Sequence, residues 1–156
     1  MTTRMNIYKF ISTDSGKALL NLAKPQEGGE VEMSVLELVK LRTSQINGCA
    51  HCIDMHTKDA RAMGETEQRL YGLSAWRETP YYSERERAAL EWTEALTLIA
   101  DTHVSDELFE RMRAHFSEAE LVTVTMTAVS TNAWNRVVQV FKVPAGSYQP
   151  KAVAAA

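Results

Sequence analysis

Two segments, Ser83-Glu84-Arg85-Glu86 and Ser117-Glu118-Ala119-Glu120, place a serine three residues before a glutamate at the head of an apolar run. That pattern lets serine and glutamate satisfy two orphan backbone donors reciprocally, so it marks a helix start. The first predicts a helix to about Ala100. The second predicts one to about Phe141 that carries Leu121, Val122, Val124, Met126, Val129, Val137 and Val140. Val122-Thr123-Val124-Thr125 is β-branched and strand-like by propensity, but the cap in front of it argues for a buried helix.

The rest of the chain has the same period. Helices are expected over Ser12 to Ala23 (stopped by Pro25), Glu32 to Gln45, Cys49 to Met63, Thr66 to Trp76, and from the Ser105 cap to about Phe116. Gln26 to Glu30 reads as a loop and Arg77 to Tyr82, with Pro80, as a connector. Asn47-Gly48 and Gly64 stand where helices end. No segment alternates as a strand does, so the expected fold is all-α, a bundle of about six or seven helices. Its 156 residues fit a single domain over 1–156, with the tail from about Pro144 loose.

The function-bearing segment is Asn47-Gly48-Cys49-Ala50-His51-Cys52-Ile53-Asp54-Met55-His56, which holds both cysteines and two of the four histidines. Residues at i, i+3 and i+7 share a helix face, so Cys49, Cys52 and His56 point one way. Gly48 implies that a helix begins at the cysteines. The free N–H groups there favour a thiolate. His56 stands one turn past Cys52, placed to take its proton, while His51 points elsewhere and lines the mouth. Glu37, amid Val35, Leu36, Leu38 and Val39, is the candidate to orient His56, because a carboxylate among aliphatics needs a partner when buried. On residues alone a zinc site built from Cys49, Cys52 and His56 with Glu37 or His51 remains open.

Other candidates read as structural. His103 and His115 are expected at the surface, and Asp54 on exposed helix. Trp134 and Arg136 read as packing and helix-pairing residues, and Met33, Met55 and Met63 as core or cavity wall. Net charge is −3 with both signs interspersed, which argues against a nucleic-acid surface. No apolar run approaches the ~20 residues of a membrane span, and the first residues lack the apolar core of a signal peptide. The expected location is cytoplasmic, where a C-x-x-C pair is more often catalytic, redox-sensing or metal-binding than a permanent staple.

Glu37 to Arg42, followed by Ser44 to His56, resembles the core of the AhpD-like alkylhydroperoxidases, part of the wider carboxymuconolactone decarboxylase superfamily. The shared pattern is E-x11-C-x-H-C-x3-H. The resemblance continues through Tyr71, Ala75-Trp76-Arg77 and Ser83 to Leu90, and ends at Asn132-Ala133-Trp134-Asn135-Arg136. It implies an AhpD-like helical bundle and a peroxiredoxin-type alkyl hydroperoxide reductase serving antioxidant defence. Cys52 would be the peroxidatic cysteine, Cys49 its resolving partner in a disulfide, His56 and Glu37 the proton relay, and His51 a further site histidine. It implies no metal, haem, flavin or other cofactor. The implied partners are a hydroperoxide, a lipoyl-linked or thioredoxin-like dithiol reductant, and further copies of the chain in a trimer or hexamer. Two alternatives stand beside it: a non-enzymatic redox-sensing or disulfide-exchange protein, and a decarboxylase-like lyase, for which a vicinal dithiol has no use.

Overall fold

The computed structural model describes residues 3–24 and 30–150. Among them are eight α-helices and no strand: α1 (Ile7–Ile11), α2 (Asp14–Leu22), α3 (Met33–Ile46), α4 (Ala50–Ala62), α5 (Glu67–Gly72), α6 (Glu84–Thr97), α7 (Asp106–His115) and α8 (Glu118–Phe141). A 3₁₀ helix, Leu73–Glu78, follows α5. No helix among the described residues is long and apolar enough to cross a membrane.

α3 is the hub, packed against α4, α6 and α8. Val35 to Val39, Leu41, Thr43 and Ser44 are all buried, so α3 shows little of the one-sided patterning of a surface helix. Val35, Leu36 and Val39 meet Ala89 and Trp92 of α6, Met112 of α7, and Val124 and Ala128 of α8. Leu38 and Leu41 form a second cluster with Ala60 of α4, Leu70, Leu73 and Leu90. Leu38, Leu41, Leu73 and Leu90 are among the largest fully buried side chains, and each contributes about 1.5–3 kcal/mol relative to exposure.

Both capping boxes form as read: Ser83 and Ser117 accept from the backbone of Glu86 and Glu120, whose side chains accept in return. α8 is helical through its β-branched stretch, as the cap in front of it implies. The hydroxyls of Thr125, Thr127 and Thr131 donate to carbonyls four residues back, at 2.7, 2.8 and 2.7 Å. At 24 residues, α8 runs roughly 36 Å along the molecule.

Several expectations need correction. The helix expected over Ser12 to Ala23 is α2, and a further short helix, α1, capped by the Asn6 side chain, precedes it. The two meet so closely at Gly16 that an added Cβ would stand 2.1 Å from the Phe10 carbonyl oxygen. The loop read from Gln26 lies, up to Gly29, outside the described residues, as does Pro25. Thr66 to Trp76 is not one helix, because the backbone departs from helical geometry at Ala75. There Trp76 Nε1 donates to Glu94 of α6 at 2.8 Å, and Arg87 holds the carbonyls of Trp76 and Thr79 at 3.1 Å each. α6 ends at Thr97, short of Ala100. Met33 and Met63 are exposed, and only Met55 lines a cavity. Arg136 is exposed and bonds within its own helix, to Asn132.

The tail from Pro144 is not loose over its described part. α8 ends at Lys142 in the left-handed conformation (φ 53°, ψ 51°). The amide of Val143 then donates to the carbonyl of Val138 at 3.1 Å. This reversal turns the chain back across α4, where residues 144–148 are hydrogen-bonded.

Candidate active site

The site is built on the turn between α3 and α4. Gly48 adopts φ +66°, a conformation in which any other residue would be strained. The Cys49 amide donates back to Ser44 at 3.0 Å, and α4 begins at Ala50 with Cys49 as its N-cap. Both cysteines thus stand at the start of α4, where the helix dipole is positive, an environment that stabilises a thiolate. The two are joined as a disulfide with Cα atoms 5.3 Å apart. Cys49 is fully buried and Cys52 is 2% exposed.

Asparagines of α8 hold this turn. The side-chain amide of Asn47 donates to Asn132 at 3.0 Å and to Asn135 at 2.9 Å, and Asn135 donates to Ser44 at 3.2 Å. Asn135 is fully buried. These positioning residues were not singled out from sequence. Their signal was available: asparagines in the apolar run of a buried helix need partners.

Cys52 and His56 line one cavity, with His56 a turn deeper along α4. His56 Nδ1 lies 3.0 Å from Glu37 Oε2, and Lys40 Nζ donates to Glu37 Oε1 at 2.7 Å. Burial pushes the Glu37 carboxyl up. The His56 hydrogen bond and the Lys40 charge outweigh it, so the group is held below its ordinary value. An ionised carboxylate only accepts, so Nδ1 carries the proton, and Nε2 is the nitrogen left to act as base. His51 faces away from this pair, its Nδ1 donating to the carbonyl of Pro144 at 2.7 Å, although it too lines the cavity. His103 and His115 are exposed, as read. Asp54, read as exposed helix surface, is half-buried and accepts from Lys58 and from the Gly146 amide.

Asp59, a turn beyond His56, brings a second carboxylate. Its ligand atom and those of Glu37 and His56 lie within 4.8 Å of one another. The set is poorly suited to a cation. Both Glu37 oxygens are engaged, the Lys40 ammonium already stands against one of them, and Asp59 accepts from the Tyr148 hydroxyl at 2.7 Å. Burial and the Asp59 bond push the Tyr148 phenol up to about 12. The zinc set suggested by spacing alone needs two thiolates, whereas here the sulfurs are bonded to each other and His56 is turned to Glu37.

The cavity has a volume of about 780 Å³. Its walls beyond the reactive groups are largely apolar: Ile11 and Leu20 from the first two helices, Met55 from α4, and Trp134 and Val138 from α8. Trp134 is set edge-on to Phe10, with ring centroids 6.0 Å apart, which docks α1 over the site. A dithiol at a helix start, beside an imidazole fixed by an ionised carboxylate and facing a sheltered cavity, is equipped for thiol redox chemistry.

Residues 14–95 match the model of the carboxymuconolactone decarboxylase family. The chain is 44% identical over 137 residues to the uncharacterised protein YdfG of Bacillus subtilis, covering 88% of this chain and 92% of that one. Among solved structures it is similar to a protein of unknown function from Agrobacterium tumefaciens, ATU0492, for which an antioxidant-defence role as AhpD has been suggested. That match has 41% identity and a TM-score of 0.85, over 94% of this chain and all of the other. The debrominase Bmp8 shares the fold at 18% identity and a TM-score of 0.70, over 86% of this chain and 72% of that one. With motif, fold and site in agreement, the chain belongs to the carboxymuconolactone decarboxylase family, as an AhpD-like member.

Proposed function

We propose that the chain is a thiol-dependent alkyl hydroperoxide reductase. The observation that carries this reading is an asymmetry. Of the two cysteines only Cys52 lines the cavity, and it does so together with His56, whose other nitrogen is tied to Glu37. Once the disulfide is reduced, Nε2 of His56 takes the proton of Cys52. The thiolate attacks the terminal oxygen of ROOH, the O–O bond breaks, and the alkoxide leaves as ROH with the relayed proton. Cys52 is now a sulfenic acid. The Cys49 thiol attacks that sulfur, the disulfide forms, and water leaves. A dithiol reductant restores both thiols by exchange and leaves as its own disulfide. The sum is ROOH plus dithiol giving ROH, water and disulfide.

Pre-reduced protein mixed with an organic hydroperoxide should consume one equivalent per chain at once, and should continue only when a dithiol is supplied. Consumption that stops after one equivalent with dithiol present would identify a sensor. No consumption at all would remove the reading.

A homo-oligomer forms part of this proposal. Val122, Val129 and Val140 lie on one line of α8 and are 49%, 41% and 58% exposed, an apolar stripe suited to a second copy. Light scattering at micromolar concentration should therefore give a multiple of 17.5 kDa. A single-chain mass would count against assembly.

A further inference from the structure

The proposed cycle has a return step, and the closed structure obstructs it. Disulfide exchange requires a thiolate to reach a sulfur. Cys49 shows no surface and Cys52 2%. The cavity gives a small thiol a way to Cys52, but it is walled by α1, α2, α8 and the tail. A protein dithiol carries its reactive sulfur on a folded surface and cannot follow. The element lying directly on the disulfide is the chain after α8: Val143 packs against Cys49, Cys52 and Val138.

We propose that residues 143–149 are a latch that admits small molecules while closed and must lift before a protein dithiol can reduce the Cys49–Cys52 disulfide. This rests on the peroxidase reading only in that the reading supplies the need for a reductant. Beyond the contact of Val143 with Val138 of α8, the fastenings of the latch are to residues of α4. Pro144 accepts from His51. The Gly146 amide donates to Asp54 at 3.0 Å. Lys58 donates to the carbonyls of Gly146 at 3.3 Å and Tyr148 at 3.0 Å. Tyr148 donates to Asp59, the carboxylate next to the Glu37–His56 pair.

Two features suit the segment to opening. Its fastenings are mostly polar bonds at or near the surface, and segments held in that way open at low cost. It also follows a backbone reversal at Lys142 (φ 53°) and turns again within itself at Gly146 (φ 100°), so it can swing about Lys142 while α8 stays in place. The partner it admits is a folded protein with a surface dithiol. Slender thiols use the cavity and need no opening.

The test is reduction of the oxidised chain with no peroxide present. Thioredoxin serves as the protein dithiol and dithiothreitol as the small one, on the parent and on Asp54→Ala/Lys58→Ala, which removes three of the fastenings. If opening precedes attack, the observed rate scales with the open fraction. Thioredoxin should then reduce the variant about tenfold faster than the parent, while dithiothreitol changes by less than about twofold. Equal acceleration by both reagents, an unchanged thioredoxin rate, or no reduction by thioredoxin of either protein would overturn the latch. Tyr148→Phe, which removes one hydroxyl, should show the same selectivity at smaller size and decides the matter if the double variant loses its helical circular dichroism. Peroxide consumption by the pre-reduced parent is measured separately. A parent that shows the selectivity but consumes no peroxide overturns the peroxidase reading alone. One that turns over peroxide without the selectivity overturns the latch alone.

Discussion

Replacing Cys52 by serine should abolish the reaction with hydroperoxide, whereas replacing Cys49 by serine should leave it intact and arrest the protein as a trappable sulfenic acid on Cys52. Both cysteines begin the same helix, so the dipole favours a thiolate at either. The difference is access and proton removal. Cys52 opens on the cavity that His56 lines, and Cys49 has no exposed surface. The first-turnover rate of Cys52→Ser should fall by about 10⁴-fold or more, as for the loss of a nucleophile. Mass spectrometry after mild peroxide and a sulfenic-acid probe reads the result directly. Equal labelling of the two single variants, or labelling of neither, would remove the assignment of roles.

The second large effect belongs to Glu37 and His56 acting as one unit. Nδ1 of His56 is committed to Glu37, so the carboxylate fixes which nitrogen is basic, and in the proposed cycle it would stabilise the imidazolium formed when Cys52 gives up its proton. Losing either member should slow oxidation of Cys52 by about 10²–10⁴-fold at neutral pH, and losing both should cost little more. Raising the pH should rescue each variant partly, because solvent then ionises the thiol unaided. Strictly additive losses, or a Glu37→Gln variant as fast as the parent, would reduce Glu37 to a structural carboxylate.

The same carboxylate predicts an acid limit. Its folded pKa lies below the ordinary 4.5, so the pair's contribution to stability is complete above that value and is lost as pH falls through the depressed one. Glu37→Gln should flatten that part of the stability profile.

Where the site lies was legible because its components are local. Asn47-Gly48 marks the turn, the cysteines mark the helix start, and Glu37 shows itself as a charge among aliphatics. The capping boxes likewise placed α6 and α8, because a cap is a contact between residues three apart. What escaped is what distance in sequence conceals. α1 is five residues long, too short to show a period. The 3₁₀ turn after α5 is imposed by Glu94 and Arg87, which reach Trp76 and its neighbours from α6. The tail looks idle, polar and rich in turn formers, until Asp54, Lys58 and Asp59 are placed beneath it. Asn132 and Asn135 could not be read as supports of the α3–α4 turn without knowing that α8 crosses it.

The α3–α4 hairpin has a consequence for the order in which the molecule assembles. Glu37 and His56 are 19 residues apart, whereas the bond from Tyr148 to Asp59 spans 89. Short loops close at small entropic cost, and local contacts form early. A chain emerging from the ribosome can therefore bring its two thiols and their base together while α8 and the tail are still unmade. For that interval the reactive dithiol is present without shelter, and the oxidation state of the newborn protein is set by its surroundings rather than by its own cavity.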